Sequence, residues 1–403
     1  MNRKIFTFLL ILILLSSNLM AKNIKLWHAW VGPEKEALLG IITEYEQISG
    51  NKIIVESYNI DSLQARFLRM VDEGLGPDLI IGPSDWIGTF AHEEVIASID
   101  EYLKEGEESL YIQTVINGCK YNGKLYGLPE SFKCLALIYN KDLVVSPPET
   151  IEELLKIGKT LTDEDEMRYG LVYDIENYYY QIPWINGFGG EILDSKNNPT
   201  FTSKEQQNSL NFVYSLQHGE NKIMPSEINY NMVMTIFNFQ LAGMMINGPW
   251  VIGDLIKSDI NFGIAKLPKV SKTGKWSGPA VGAEVIMMSS NAKDRSATYD
   301  FIKFLTSENT QIKMATAGHL PSRKNVYNND ELKNIKIFEY IKGFKEQSEV
   351  GIPIPNALEM NIAVWQTGTI MLKDILSNDV DIIKATKAAQ EKSIKLIQEN
   401  LKK

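Results

Sequence analysis

Residues 24–57 read IKLWHAWVGPEKEALLGIITEYEQISGNKIIVES. The stretch opens with a short apolar strand, Ile24 to His28. Pro33 follows, and then Ala37, Leu38, Ile41, Ile42, Tyr45 and Ile48 recur at helical spacing. Proline suits the first turn of a helix and glycine its end, so Pro33 and Gly50 bracket this one. Lys52 to Ser57, rich in Ile and Val, reads as a second strand. Asp61 is placed to cap a further helix carrying Leu63, Phe67, Met70 and Val71, which Gly74-Leu75-Gly76-Pro77 stops. Asp78-Leu79-Ile80-Ile81 is a third strand, ending at Gly82-Pro83. Strand, helix, strand, helix, strand with short connections predicts a parallel sheet. Such sheets bind ligands beyond the carboxyl ends of their strands. His28-Ala29-Trp30 and Ser84-Asp85-Trp86 therefore draw notice.

The pattern continues downstream. Tyr121-Asn122-Gly123-Lys124 is a hairpin signal. A strand-like run, Leu135 to Tyr139, follows it, and Pro147-Pro148 marks a break before a helix from Thr150. A second α/β region extends to about Pro268. Its strand Gly243 to Asn247 ends in Gly248-Pro249-Trp250, again an aromatic just past a strand. The last third is largely helical, with a proline-rich loop at Pro353 to Pro355 before Trp365.

The chain has 403 residues, enough for two or three domains, of which 44% are apolar and 23% charged. Disorder and coiled coil do not fit, and no internal repeat is present. Asn2-Arg3-Lys4, the apolar run Ile5 to Leu15 and Ala21 before a charged segment have the layout of a secretory signal peptide, with cleavage expected after Ala21. No cysteine lies near that point, so a lipid anchor is not expected, and the periplasm is the expected compartment. Cleavage removes Arg3 and Lys4 and takes the formal charge from −9 to −11. An acidic chain with no basic stretch does not suit nucleic acid or an anionic membrane. Cys119 and Cys134 could pair in an oxidising compartment or stand as buried free thiols, and spacing does not decide between these.

Four aromatic features sit at breaks between elements: Trp86, Tyr178-Tyr179-Tyr180, Trp250 and Trp365. Aromatic rings cover the apolar C–H face of a sugar, while carboxylates, amides and cationic groups satisfy its hydroxyls. Catalytic and metal signatures are absent: His28, His92, His218 and His319 are scattered, and there is no HExxH, CxxC, P-loop or G-x-S-x-G. No cofactor, metal or catalytic residue is expected. A glycosidase needs only two carboxylates, for which Asp85 and Glu130 are the first pair to examine.

Several segments carry a family resemblance. They are Ile24-Lys25-Leu26-Trp27, Gly76-Pro77-Asp78-Leu79-Ile80, Tyr121-Asn122-Gly123-Lys124-Leu125, Leu137-Ile138-Tyr139-Asn140-Lys141-Asp142, Phe237-Asn238, Ile246-Asn247-Gly248-Pro249-Trp250 and Ile354-Pro355-Asn356. In this order the chain resembles the maltose-binding protein and its relatives, the extracellular solute-binding proteins of carbohydrate ABC transporters, from about residue 24 onward. The resemblance implies the periplasmic-binding-protein fold: two α/β lobes with a ligand cleft between them. Residues 22–131 and 282–328 would form the first lobe and 136–278 and 335–403 the second. Residues 132–135, 279–281 and 329–334 would be the hinge crossings.

It also implies a ligand set. Asp85 matches an aspartate that binds sugar hydroxyls. Tyr179 and Tyr180 match an aromatic pair at the cleft, Tyr230 a tyrosine contacting the sugar, and Trp250 and Trp365 two stacking tryptophans. This chain departs from the pattern at Gly82, where the family has a third stacking tryptophan that Trp86 would replace. It departs again at Trp86 itself, which stands for an arginine, and at Lys133 and Asn177, which stand for glutamates. Val31 and Gly32 stand for an aspartate and a lysine, beside Trp30. Gln64 and Glu130 complete the candidate set. The stacking residues are kept and the hydroxyl-reading ones changed, so a carbohydrate other than maltose is the expected best ligand. The implied partners are that carbohydrate, the membrane permease of the transporter and a chemoreceptor, with the binding protein a monomer. Two alternatives are another polar solute (a polyol or sugar phosphate) and a secreted glycan-active enzyme.

Overall fold

The computed structural model describes residues 21–335 and 337–400. Residues 1–20, on which the signal-peptide expectation rests, lie outside them. The chain begins with strand β1 (Asn23–His28), helix α1 (Gly32–Ser49) and strand β2 (Lys52–Ser57). Helix α1 buries Leu38, Ile41, Ile42 and Tyr45 along one stripe. It stops at Gly50, whose left-handed φ of 74° lets its N–H bond to the Glu46 carbonyl. Helix α2 (Ile60–Asp72) follows. Its cap is Asn59 and not the expected Asp61, because Asn59 holds the extended backbone and its side chain accepts from the Asp61 N–H. Strand β3 (Leu79–Pro83) is almost wholly buried. Asn122 and Gly123, with φ of 48° and 78°, form the two-residue turn of the predicted hairpin.

Strand β4 (Gly127–Lys133) is followed at once by β5 (Ala136–Asn140). The elements that follow include β6 (Tyr169–Val172), helix α3 (Tyr178–Gly187), helix α4 (Tyr230–Asn238), β7 (Ala242–Asn247) and β8 (Phe262–Ala265). The long strand β9 (Ala280–Met288) precedes helix α5 (Glu308–Thr316) and β10 (Leu320–Pro321). Helix α6 (Phe338–Ser348), the short β11 (Ile352–Pro353) and helices α7 (Trp365–Leu376) and α8 (Ile382–Asn400) complete the described chain.

Two sheets result. The first has the order β10-β4-β9-β3-β1-β2, with β11 beside β9. Strands β2, β1 and β3 are parallel, as their sequence pattern predicts. Strand β9 pairs antiparallel with both β3 and β4, so the sheet is mixed and not purely parallel. The reason is that β9 arrives from the other sheet and enters beside β3 running the opposite way. The second sheet has the order β8-β5-β7-β6.

The chain passes between sheets at Cys134-Leu135, between β4 and β5. It returns between β8 and β9, and passes again between β10 and α6. Helix α6 lies so close to β8 that a Cβ on Gly343 would fall 2.5 Å from Ile264. Two details differ from the lobe boundaries expected above. Ala280 and Val281, expected in a hinge, already pair within the first sheet, and Ile352-Pro353, expected with the second lobe, pairs with them. Both cysteines are buried free thiols. No helix among the described residues is long and apolar enough to cross a membrane.

Candidate functional site

Strand ends from both lobes converge on one cleft. From the first lobe come Trp30 just past β1, Asp85 in the single turn after β3, Lys133 at the end of β4 and Glu284 on β9. From the second come Tyr179 in the first turn of α3 and Trp250 just past β7. The cleft has two halves. One, of about 300 Å³, is lined by residues including Trp30, Glu34, Lys133, Trp250, Glu284 and His319. The other, of about 340 Å³, is lined by residues including Asp85, Lys133, Tyr179, Trp250, Gly282 and Ile354. Pro83, Lys133 and Trp250 line both halves.

The first-lobe wall is charged. Lys133 Nζ lies 2.7 Å from Glu284 Oε1. The Glu284 charge holds the lysine above its ordinary pKa against the opposing effect of burial. Burial raises the Asp85 carboxyl, and the nearby Lys133 charge partly offsets this. A second group stands beside Trp30: His319 Nδ1 lies 2.6 Å from Glu130 Oε2, and its Nε2 lies 3.2 Å from Glu34 Oε1. Burial alone would lower the His319 pKa, but the two glutamates raise it to about 10, so the ring is an imidazolium at neutral pH. The Trp30 ring meets His319 edge-on, with centroids 4.8 Å apart.

The second-lobe wall is aromatic. Trp250 is 45% exposed, and its Nε1–H donates to the Tyr230 hydroxyl at 3.1 Å. A Cβ on Gly248 would fall 2.1 Å from the Trp250 ring, so only glycine lets the indole fold back across this turn. Tyr179 donates to the Ala280 carbonyl at 3.4 Å. Trp365 opens α7 directly after a π-helical turn, Met360–Val364, and its ring lies 6.4 Å from that of Tyr179. The Asn361 amide in that turn donates to the Asp85 carbonyl at 3.1 Å, tying the approach to Trp365 to the first lobe.

Of the sequence candidates, the cleft brings together Trp30, Asp85, Lys133, Tyr179 and Trp250. Tyr230 joins through Trp250 and Trp365 through Tyr179. The others lie elsewhere. Trp86 was expected to stand in for a missing stacking ring. It is instead packed over Gly82, where a Cβ would meet its ring at 2.6 Å, and against Phe90, leaving it 8% exposed. Glu130 is fully buried against His319, so it and Asp85 do not flank one cavity. Asn177 caps α3, accepting from the Tyr179 N–H and donating to Asp174. Tyr180 is buried, with its hydroxyl donating to Asn247. Gln64, half-buried on α2, lines neither half.

Glu34, Glu284 and His319 were not foreseen. Glu284 becomes visible only through register, because β9 pairs Gly282 with Lys133 and so sets Glu284 beside it. His28, at the end of β1, is fully buried. Burial first and Lys35 second lower its pKa to about 4, and its Nδ1 accepts from the Trp30 N–H.

A larger cavity of about 790 Å³ is lined by the segments 117–118, 186–197, 274–276 and 350–357. The Trp276 ring on its wall is covered from within the protein. Lys266 and Lys269 sit over the Trp276 ring at 4.3 and 4.4 Å, and the Asn186 amide donates to the Gly278 carbonyl. The strand-end cleft, with an exposed indole facing charged groups, is the better ligand site. Among the described residues no cluster of His, Cys, Asp and Glu is spaced to hold a metal ion.

Comparison with known proteins gives a consistent picture. The family model described as bacterial extracellular solute-binding protein matches residues 40–339. A maltotriose-binding protein of Pyrococcus abyssi is 30% identical over 387 residues, covering 93% of this chain and 83% of the relative. A galactooligosaccharide-binding protein of Bacillus subtilis is 27% identical, covering 79% of this chain and 76% of the relative. The solved maltose/maltodextrin-binding domain of Bdellovibrio bacteriovorus, bound to maltotriose, superposes with a TM-score of 0.77. It is 28% identical and covers 93% of this chain and all of the other.

Proposed function

The chain belongs to the bacterial extracellular solute-binding proteins, and from that premise we propose that it captures a sugar or oligosaccharide of the maltodextrin kind, or a related one, and delivers it to the permease of an ABC transporter. It acts as a monomer in the periplasm, exported by its N-terminal segment, and a chemoreceptor is a further candidate partner. The observation that carries the proposal is the Trp250 indole, 45% exposed and facing Lys133, Glu284 and Asp85 across the cleft. An apolar platform opposite charged hydrogen-bonding groups matches the two chemistries of a sugar ring. Stacking comes from Trp250, Tyr179 and Trp365, and hydroxyls are read by Asp85 and the Lys133–Glu284 pair. The lobes move relative to one another about Cys134-Leu135 and the two later crossings, so that binding energy shifts an open–closed equilibrium.

A phosphorylated or otherwise anionic sugar is less well supported. Lys133, the cation lining both halves, is already neutralised by Glu284. The test is a melting-temperature screen of the purified protein against mono- and oligosaccharides of α-glucose and of galactose, with a sugar phosphate and a polyol included. A ligand at 100 times its Kd stabilises the folded state by about 2.7 kcal/mol, a clear shift. An oligosaccharide should give the largest one. A shift with the phosphate alone, or with no sugar, would overturn the proposal.

A further inference from the structure

Helix α1 carries Glu34 in its first turn, at the edge of the cleft half that Trp30 and Trp250 share. Its side chain keeps 41% of its surface exposed, and Oε1 lies 3.2 Å from His319 Nε2. The opposite face of that ring is held by Glu130, at 2.6 Å from Nδ1. Glu130 is wholly buried, and its Oε1 has no partner among the described residues.

Charges sort themselves along this row. A buried carboxylate needs a counter-charge, and the 8% exposed imidazolium supplies it. Two carboxylates on one cation leave one negative charge over, and it sits on the member that reaches the cavity, Glu34. Both ring nitrogens are donors in an imidazolium, so the ring has two hydrogen bonds and no rotational choice. Glu34 is thereby fixed through one oxygen while the other stays available. An ionised carboxylate only accepts, and a sugar hydroxyl is a suitable donor to it.

We propose that Glu34 is a specificity-determining residue that accepts a hydrogen bond from a hydroxyl of the sugar unit lying on Trp250 in the Trp30 half of the cleft. His319 and Glu130 are the positioning residues behind it. The assignment rests on the carbohydrate reading above and names the part of the ligand that reading leaves open. The sugar unit nearer Asp85 and Tyr179 does not touch Glu34, because Glu34 does not line that half.

Calorimetry with maltose, maltotriose and maltotetraose on wild type, Glu34→Gln and Glu34→Ala tests it. Glu34→Ala should weaken the tightest of the three about tenfold, the weight of one hydrogen bond to a charged group, and narrow the spread among them. Glu34→Gln should fall between alanine and wild type, because an amide oxygen still accepts but carries no charge. The positioning role is read from Glu130→Gln/His319→Met, which removes both buried charges together so that the protein still folds. It should lose affinity for the same sugar, and adding Glu34→Ala should cost little more, since the three act as one unit. Wild-type affinities and ranking in Glu34→Ala would overturn the specificity role alone. Independent, additive losses would overturn the positioning role. No binding of any of the three sugars by wild type would remove the maltodextrin reading and this inference with it.

Discussion

The two walls of the cleft are built from different chemistry. The first-lobe wall carries Glu34, Asp85, Lys133, Glu284 and His319, and most of these charges are paired with each other. The second-lobe wall carries Tyr179, Tyr230 and Trp250, with Trp365 beside them, joined by single neutral hydrogen bonds and ring contacts. A charged wall must satisfy itself when no ligand is bound, or the cost of desolvation would fall on the fold. An aromatic wall has no such requirement and can leave a ring open to water. Stability is therefore tied to the first wall, while a large share of the affinity can come from the second.

The largest test of this contrast is His319→Ala. It would leave Glu130 buried with no counter-charge, and loss of one partner from a buried pair costs about 3–5 kcal/mol. Urea unfolding should show a midpoint lowered to match. A midpoint within error of wild type would mean that the charged wall does not hold the fold. Next in size, Trp250→Ala should cost about 1–3 kcal/mol in sugar affinity by calorimetry. The melting temperature without ligand should hardly move, because the ring is 45% exposed. A large drop in stability would make the indole a packing residue and erase the contrast.

The most gradual effect, a slope of at most about 1.4 kcal/mol per pH unit for a single proton, concerns pH. His319 has its pKa raised to about 10 in the folded protein, so its stabilisation is complete below about 6.5 and is lost as pH rises toward 10. His28 has its pKa lowered to about 4 and stays neutral, so the unfolded chain takes up the extra proton and stability is lost as pH falls from about 6.5 toward 4. Burial holds the Tyr179 hydroxyl well above its ordinary value, so that ring stays neutral throughout this window. Unfolding free energy against pH should flatten on the alkaline limb in Glu130→Gln/His319→Met and on the acid limb in His28→Gln. An unchanged alkaline limb in the double variant would show that the imidazolium is not held between the two glutamates.

Local sequence determined a good deal of this protein. Helical spacing from Ala37 to Ile48, closed by Gly50, specified α1. Asn122-Gly123 specified its turn, because few other residue pairs adopt two positive φ values in succession. The β-branched runs at Lys52 to Ser57 and Asp78 to Ile81 specified two strands, and an aromatic just past a strand marked Trp30 and Trp250 as candidates. All of these are short-range: spacing along the chain fixes which residues share a face, and a strand end is where a parallel sheet opens to ligand.

Tertiary structure decided the rest. Trp86 and Trp250 both follow a strand, yet one is packed on Gly82 and the other faces the cleft. Which way each ring turns depends on the space beside it, supplied by residues elsewhere. Lys133 gained its partner when β9, from 150 residues downstream, paired with β4 and brought Glu284 alongside. Glu34, Glu130 and His319 are far apart in sequence, and nothing in their neighbours foretells that they meet. Coulombic and hydrogen-bond energies depend on distance in space, whereas a sequence records distance along the chain. The fold converts one into the other only through the order in which strands enter the sheet.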